Sequence, residues 1–185
     1  MSDYFGGSVG LEQHTVFKLD VFKGRVGDPE KVTEELLSYG ENSTRVSDDS
    51  NDIRYQDRLI PTDPWLSEEI KGIWDYIQKE IEQLVQKRVT PQCDPWFILN
   101  KSNEQIYPHV HTDSDLATVY WAQVAPNCGD LHFYPLGMGL AGNICTRLKP
   151  EAGAFLIFDS QLLHGVPHNT SGQPRLSMSR NYNYL

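Results

Sequence analysis

No run in the sequence approaches the roughly 18 consecutive apolar residues that a membrane span requires, so no segment reads as a transmembrane helix. Cysteine is scarce: Cys93, Cys128 and Cys145 are an odd number with no metal-ligand spacing among them. The N-terminus carries no charged-then-apolar signal segment, which together with the few cysteines leads us to expect a reducing cytoplasm. Clusters of Lys and Arg are also missing, and the formal net charge is −9. Nucleic-acid affinity rests largely on basic groups that neutralise phosphates, so neither a nucleic-acid nor a membrane partner is expected. Internal repeats and low-complexity segments are absent as well.

What remains is an ordinary globular composition, 39% hydrophobic and 22% charged, over 185 residues. That length bounds the chain to one domain, 1–185, large enough to bury a core without disulfides. Its texture changes along the way. In the N-terminal region, 1–95, Thr15 to Phe22 alternates as a strand, and Asp28-Pro29 then starts a helix with Val32, Leu36 and Leu37 as its stripe and Gly40 as its stop. Glu41 to Thr62 is polar and acidic and reads as a long loop, a candidate lid whose Arg54 and Tyr55 would touch substrate. Asp63-Pro64 repeats the cap-plus-proline start, and Leu66, Ile70, Ile73, Ile77, Ile81 and Leu84 then recur at helical spacing.

From 96 to 185 the pattern becomes eight short β-type runs: Trp96–Asn100, Gln105–Asp113, Leu116–Ala125, Asp130–Tyr134, Asn143–Leu148, Ala154–Asp159, His164–Pro167 and Arg175–Tyr184. Eight runs separated by turn residues predict a mainly β, jelly-roll domain, with the two N-terminal helices packed on its larger sheet.

The chemistry lies in these runs. His111 and Asp113 are two residues apart, and on a strand such a pair shares a face. A second imidazole, His164, arriving from a distant strand would complete two histidines and one carboxylate on a single face of a metal ion, the arrangement that leaves open positions on non-haem Fe(II). Arg175 follows eleven residues after His164, room for a turn and a returning strand. A planar, permanently charged guanidinium there suits a dicarboxylate whose other end is on the metal. Ser177, two residues on, faces the same way and offers a hydroxyl to the same carboxylate.

This order, His-x-Asp, a distal His, then Arg-x-Ser, resembles the 2-oxoglutarate and Fe(II)-dependent oxygenase superfamily. The texts Pro108-His-Val-His-Thr-Asp113 and Ile157-Phe-Asp-Ser-Gln-Leu-Leu-His-Gly-Val166 look like its small bacterial and phage branch. The likeness covers about Trp96 to the C-terminus. It implies a double-stranded β-helix, Fe(II) held by His111, Asp113 and His164, 2-oxoglutarate held by Arg175 and Ser177, and consumption of O2 to hydroxylate a small molecule or an amino-acid side chain. Asn100, closing the strand before the metal strand, and Tyr120, in the strand after it, stand where such proteins often contact the cosubstrate.

Other histidines compete for these places. His109 shares strand parity with His111 and is an alternative ligand; His111 is preferred for its pairing with Asp113, which leaves His109 beside the metal or facing substrate. His168 is only seven residues before Arg175, too few for the turn and return, and reads as a loop residue. His14 and His132 carry no spacing argument. Two rival functions remain, a cosubstrate-independent metal enzyme and a non-catalytic cupin-like binding module, since fold alone does not fix function.

Overall fold

The structure, a computed structural model, describes residues 20–42, 44–45, 57–60, 67–135 and 145–185. Twelve strands and two helices appear among them. In chain order these are β1 (Phe22–Arg25), α1 (Pro29–Asn42), β2 (Thr44–Arg45), β3 (Asp57–Ile60), α2 (Glu68–Val85), β4 (Val89–Pro91), β5 (Trp96–Asn100), β6 (Ile106–His109), β7 (Leu116–Gln123), β8 (Leu131–Phe133), β9 (Thr146–Leu148), β10 (Ala154–Asp159), β11 (His164–Val166) and β12 (Arg175–Tyr184).

Both helices are made by local signals and held by burial. The Asp28 carboxylate accepts the Glu30 backbone N–H at 3.1 Å, satisfying one of the donors a helix start leaves free. α1 runs two residues past the expected stop at Gly40. α2 is capped by Ser67, whose hydroxyl accepts the Ile70 N–H at 3.3 Å, with Glu68 and Glu69 beside the positive helix end. The expected cap at Asp63-Pro64 lies outside the described residues, as does Leu66. Ile70, Ile73, Trp74, Ile77 and Ile81 form the buried face, each contributing up to about 1.5–3 kcal/mol. The Ser67 hydroxyl also donates to Glu35 at 2.6 Å, joining the start of α2 to α1.

The strands form two antiparallel sheets. The larger runs β1-β10-β7-β12-β5-β3-β2, with β4 also on β12, and the smaller runs β6-β11-β8-β9. One face of the larger sheet packs on the helices: Val32, Leu36, Ile70, Trp74 and Ile77 meet Phe97, Tyr120, Phe155, Met178 and Tyr182. The opposite face closes on the smaller sheet, where Trp96, Ile98, Trp121, Leu156 and Phe158 meet Ile106, Leu131, Phe133 and Val166. This is the expected mainly β jelly roll with helices on the larger sheet. Among the described residues no helix is long and apolar enough to cross a membrane.

Two departures from the sequence reading bear on the site. The stretch expected as one loop from Glu41 to Thr62 begins with the last two residues of α1 and contains β2 and β3, which pair with each other and extend the larger sheet beside β5; the remainder, Arg54 and Tyr55 included, lies outside the described residues. The strand expected from Gln105 to Asp113 stops at His109. Beyond it His111 donates its backbone N–H to Ser160 at 2.9 Å, and a turn at Thr112 and Asp113 leads into β7.

Candidate metal centre

Three imidazoles converge at one end of the smaller sheet. His109 ends β6 and His164 begins β11, and the two are direct partners across the β6–β11 ladder. Their ring centres are 4.4 Å apart. His111, two residues beyond β6, brings its ring to 5.0 Å from His109 and 5.2 Å from His164. The potential ligand atoms of these three residues all lie within 4.8 Å of one another.

Backbone carbonyls set the tautomers of two of them. Nδ1 of His164 is 2.6 Å from the Leu162 carbonyl, and Nδ1 of His109 is 2.8 Å from the Tyr107 carbonyl. A carbonyl oxygen only accepts, so each Nδ1 carries the proton and donates. In the neutral ring Nε2 is then left with its lone pair available, as in metal-bound histidines whose other nitrogen is anchored. Burial and the neighbouring His109 and His111 hold the His164 pKa down, to about 3, so this ring is neutral and competent as a ligand across the physiological range. Phe158, 4.9 Å from His164, and Phe133, at 6.1 Å, form an apolar wall behind it.

The close approach of β11 to β6 depends on Gly165. A Cβ there would lie 2.8 Å from the Ile106 carbonyl oxygen and 2.9 Å from the Pro108 nitrogen, both backbone atoms. Only glycine lets the two histidine strands meet at this spacing. His111 is fixed differently: besides its N–H bond to Ser160, its carbonyl accepts the Gln161 side-chain amide at 2.9 Å. The segment just before His164 therefore grips the backbone of His111.

A second group of polar residues lies inside the jelly roll on the larger sheet. Arg175 and Asn100 face each other in register, as do Ser177 and Ile98. The three polar side chains are almost wholly buried, with Asn100 0%, Arg175 1% and Ser177 2% exposed. Burial lowers the Arg175 pKa to about 10, which leaves the guanidinium charged at neutral pH. One of its terminal nitrogens donates to the carbonyls of Gly129 and Cys128 at 3.3 and 3.4 Å. Among the described residues, its Nε and both amide atoms of Asn100 have no hydrogen-bond partner. Such groups are costly to leave unmet and are a sign of a ligand that meets them. An anion, accepting from the guanidinium and from the Asn100 amide, fits that description.

Two residues expected at the site are placed elsewhere. Asp113 is exposed in the turn after His111, and its carboxylate is not in the group of converging donors. The cause is the early end of β6: alternation keeps residues 111 and 113 on one face only while a strand continues. Tyr120 sits on the helix side of the larger sheet, across from Met178 and Phe155, where burial and the charges of Glu69 and Asp28 push its pKa up to about 12. Its neighbours Val119 and Trp121 take the inner face. His109 is the residue that moves into the cluster. Gln161 and Asn169 were not singled out in the sequence; Asn169 donates from its side chain to the Asn100 carbonyl at 3.0 Å and fixes the end of β5. Neither has a local pattern that marks it.

No protein-family model and no curated protein matches the sequence. Solved structures do match. A prolyl hydroxylase from Trichoplax adhaerens, in complex with a hypoxia inducible factor peptide, is similar with a TM-score of 0.68 at 16% identity, over 89% of this chain and 83% of that one. A Pseudomonas putida prolyl-4-hydroxylase gives 0.65 at 16% identity, over 88% and 92%. HygX from Streptomyces hygroscopicus, with nickel and 2-oxoglutarate bound, gives 0.65 at 12% identity, over 89% and 82%. The chain has the fold of the 2-oxoglutarate and Fe(II) oxygenases. In that fold the histidine cluster fits a metal site, with a neutral His164 and with the rings of His109 and His164 anchored through Nδ1.

Proposed function

We propose that this protein is a 2-oxoglutarate- and Fe(II)-dependent dioxygenase that hydroxylates a small molecule or an amino-acid side chain. The observation that carries the reading is Arg175: a buried, charged guanidinium facing the unmet amide of Asn100 inside the same jelly roll as a cluster of metal-competent imidazoles. A structural arginine at this depth would have a carboxylate of the protein beside it; among the described residues its hydrogen bonds go to two carbonyls only. 2-Oxoglutarate brings a carboxylate to Arg175, and its other end belongs at the histidines.

Fe(II), when bound with the cosubstrate, supplies the coupling of 2-oxoglutarate decarboxylation to succinate and CO2 with insertion of an oxygen atom from O2 into a C–H bond. The chain's own residues bind and orient. Arg175 fixes the distal carboxylate, Ser177 on the same face offers a hydroxyl, and Asn100 supplies an amide N–H. The Tyr107 and Leu162 carbonyls hold His109 and His164 through Nδ1, and the Nε2 atoms of these rings would hold the ion. Phe133, Phe158 and Trp96 exclude water around the histidines. The neighbour in complex with a peptide supports a side-chain target, and HygX with 2-oxoglutarate bound supports the cosubstrate.

The test is stoichiometric. Incubation with Fe(II), O2 and 2-oxoglutarate is expected to release succinate, and Arg175→Met is expected to suppress it at subsaturating 2-oxoglutarate. Metal-replete protein that binds no 2-oxoglutarate and forms no succinate overturns the reading. A mass screen of peptides and metabolites for a gain of one oxygen then identifies the substrate.

A further inference from the structure

On β12 the polar residues continue past Arg175 and Ser177 to Ser179 and Asn181, every second position of the strand. The antiparallel register sets Ser179 opposite Trp96 and Val119, and Asn181 opposite Ala117, which is itself opposite Phe158. Trp96, Ala117 and Phe158 belong to the core between the two sheets, and Val119 packs against it. Directly opposed residues share a face, so Asn181 looks into that space as well. Phe158 stands 4.9 Å from the His164 ring and Trp96 stands 6.3 Å from that of His111. Asn181 therefore lies on the rows that lead to the histidines. Arg175, at the start of the strand and assigned to the cosubstrate, is roughly 20 Å away along it at about 3.3 Å per residue. Asn181 is 5% exposed, and its Oδ1 is buried with no hydrogen-bond partner among the described residues.

We infer that Asn181 is a recognition residue for the prime substrate, accepting at Oδ1 a hydrogen bond from a neutral N–H or O–H group of that molecule. A buried acceptor with nothing to accept is costly, and a ligand that donates to it removes the cost. The donor is neutral rather than an ammonium, because a carboxamide carries no charge and the rest of its row, Ala117 and Phe158, is apolar. Such surroundings offset little of the cost of burying an ion. Ala117 contributes only a methyl between Asn181 and Phe158, so no large side chain of that row separates the carboxamide from the wall beside His164. The residue is chosen by the register of β12; that its ligand is a substrate rests on the oxygenase reading.

Matched pairs of small molecules that differ only in the donor provide the probes: N-methylacetamide against N,N-dimethylacetamide, and ethylene glycol monomethyl ether against its dimethyl ether. In isotopically labelled protein free of metal and cosubstrate, NMR identifies the Asn181 side-chain amide by the signals missing from Asn181→Ala. Asn181→Leu gives the same identification if the alanine variant folds poorly. Those signals are expected to shift saturably with a donor and not with its capped counterpart, and the pair giving the larger shift distinguishes amide from hydroxyl. No saturable shift with either donor, or equal shifts with the capped molecules, overturns the inference. With Mn(II) on the histidines, the proton signals of the bound donor should broaden, and Asn181→Ala should reduce this broadening about fivefold. Equal broadening in wild type and Asn181→Ala places the molecule elsewhere and also overturns it. Failure to take up Mn(II) or to form succinate defeats the oxygenase reading instead, and leaves the shifts measured without metal unaffected.

Discussion

Arg175 lies directly opposite Asn100 across the β12–β5 ladder, and both side chains are buried with polar atoms that have no hydrogen-bond partner among the described residues. Under the proposed function this pair acts on cosubstrate affinity rather than on metal binding. Removing one partner of a buried charged contact costs about 2–5 kcal/mol, so Arg175→Met should weaken 2-oxoglutarate binding by tens of times or more. Asn100→Ala should cost about 1 kcal/mol, near fivefold. Calorimetric titration of both variants, each loaded with metal, checks the order; an unchanged dissociation constant in Arg175→Met would place the carboxylate elsewhere.

Gly165→Ala should disturb the fold and the metal site together. The added methyl meets backbone of β6 at 2.8–2.9 Å, and backbone cannot rotate aside as a side chain can. A cost of about 1–3 kcal/mol is expected, read as a lower melting temperature, together with weaker Co(II) binding as His164 moves from His109. A variant with full stability and full metal affinity would show that the two strands have slack.

Tyr120→Phe should leave 2-oxoglutarate affinity unchanged, because the ring packs on the helices. Its hydroxyl is buried without a hydrogen-bond partner among the described residues, so its removal should alter stability by no more than about 1 kcal/mol and in the favourable direction. Chemical denaturation with and without cosubstrate separates these effects. A drop in cosubstrate affinity would restore the role the sequence had led us to expect.

The metal-free protein should lose stability in acid through His164. Its folded pKa, lowered to about 3, lies below the ordinary value of 6.5 that it regains on unfolding. Between those values the unfolded chain binds the extra proton, so stability is full above pH 6.5 and falls as pH drops toward 3. His164→Asn should flatten that part of the profile. Denaturant midpoints across pH 4 to 8 give the slope, and identical slopes in both proteins would contradict the assignment.

Much of this was legible in the residues. Ala154–Asp159 and Arg175–Tyr184 have the bounds their alternation indicated, and the stripe of Ile70, Ile73, Ile77 and Ile81 is the buried face of α2. Those signals are local and periodic. His109 could be read only as an alternative to His111, because whether both rings reach one place depends on where β6 ends, and His111, just past that end, is held by a tertiary bond to Ser160, 49 positions away in the sequence. The face that Tyr120 takes was not legible for a related reason. Alternation separates its strand into two faces, but which of them looks inward is set by its register with β12, and register is a relation between strands.

The grip of Ser160 and Gln161 on His111 changes when the disorder around the site is lost. Fixing a residue's backbone costs about 1–2 kcal/mol in conformational entropy. Here that loss falls within folding, since the same segment that delivers His164 also immobilises His111 before any ion arrives. Capture of the metal can therefore proceed without rearranging the chain, and the empty and loaded proteins should be nearly superimposable at these three histidines.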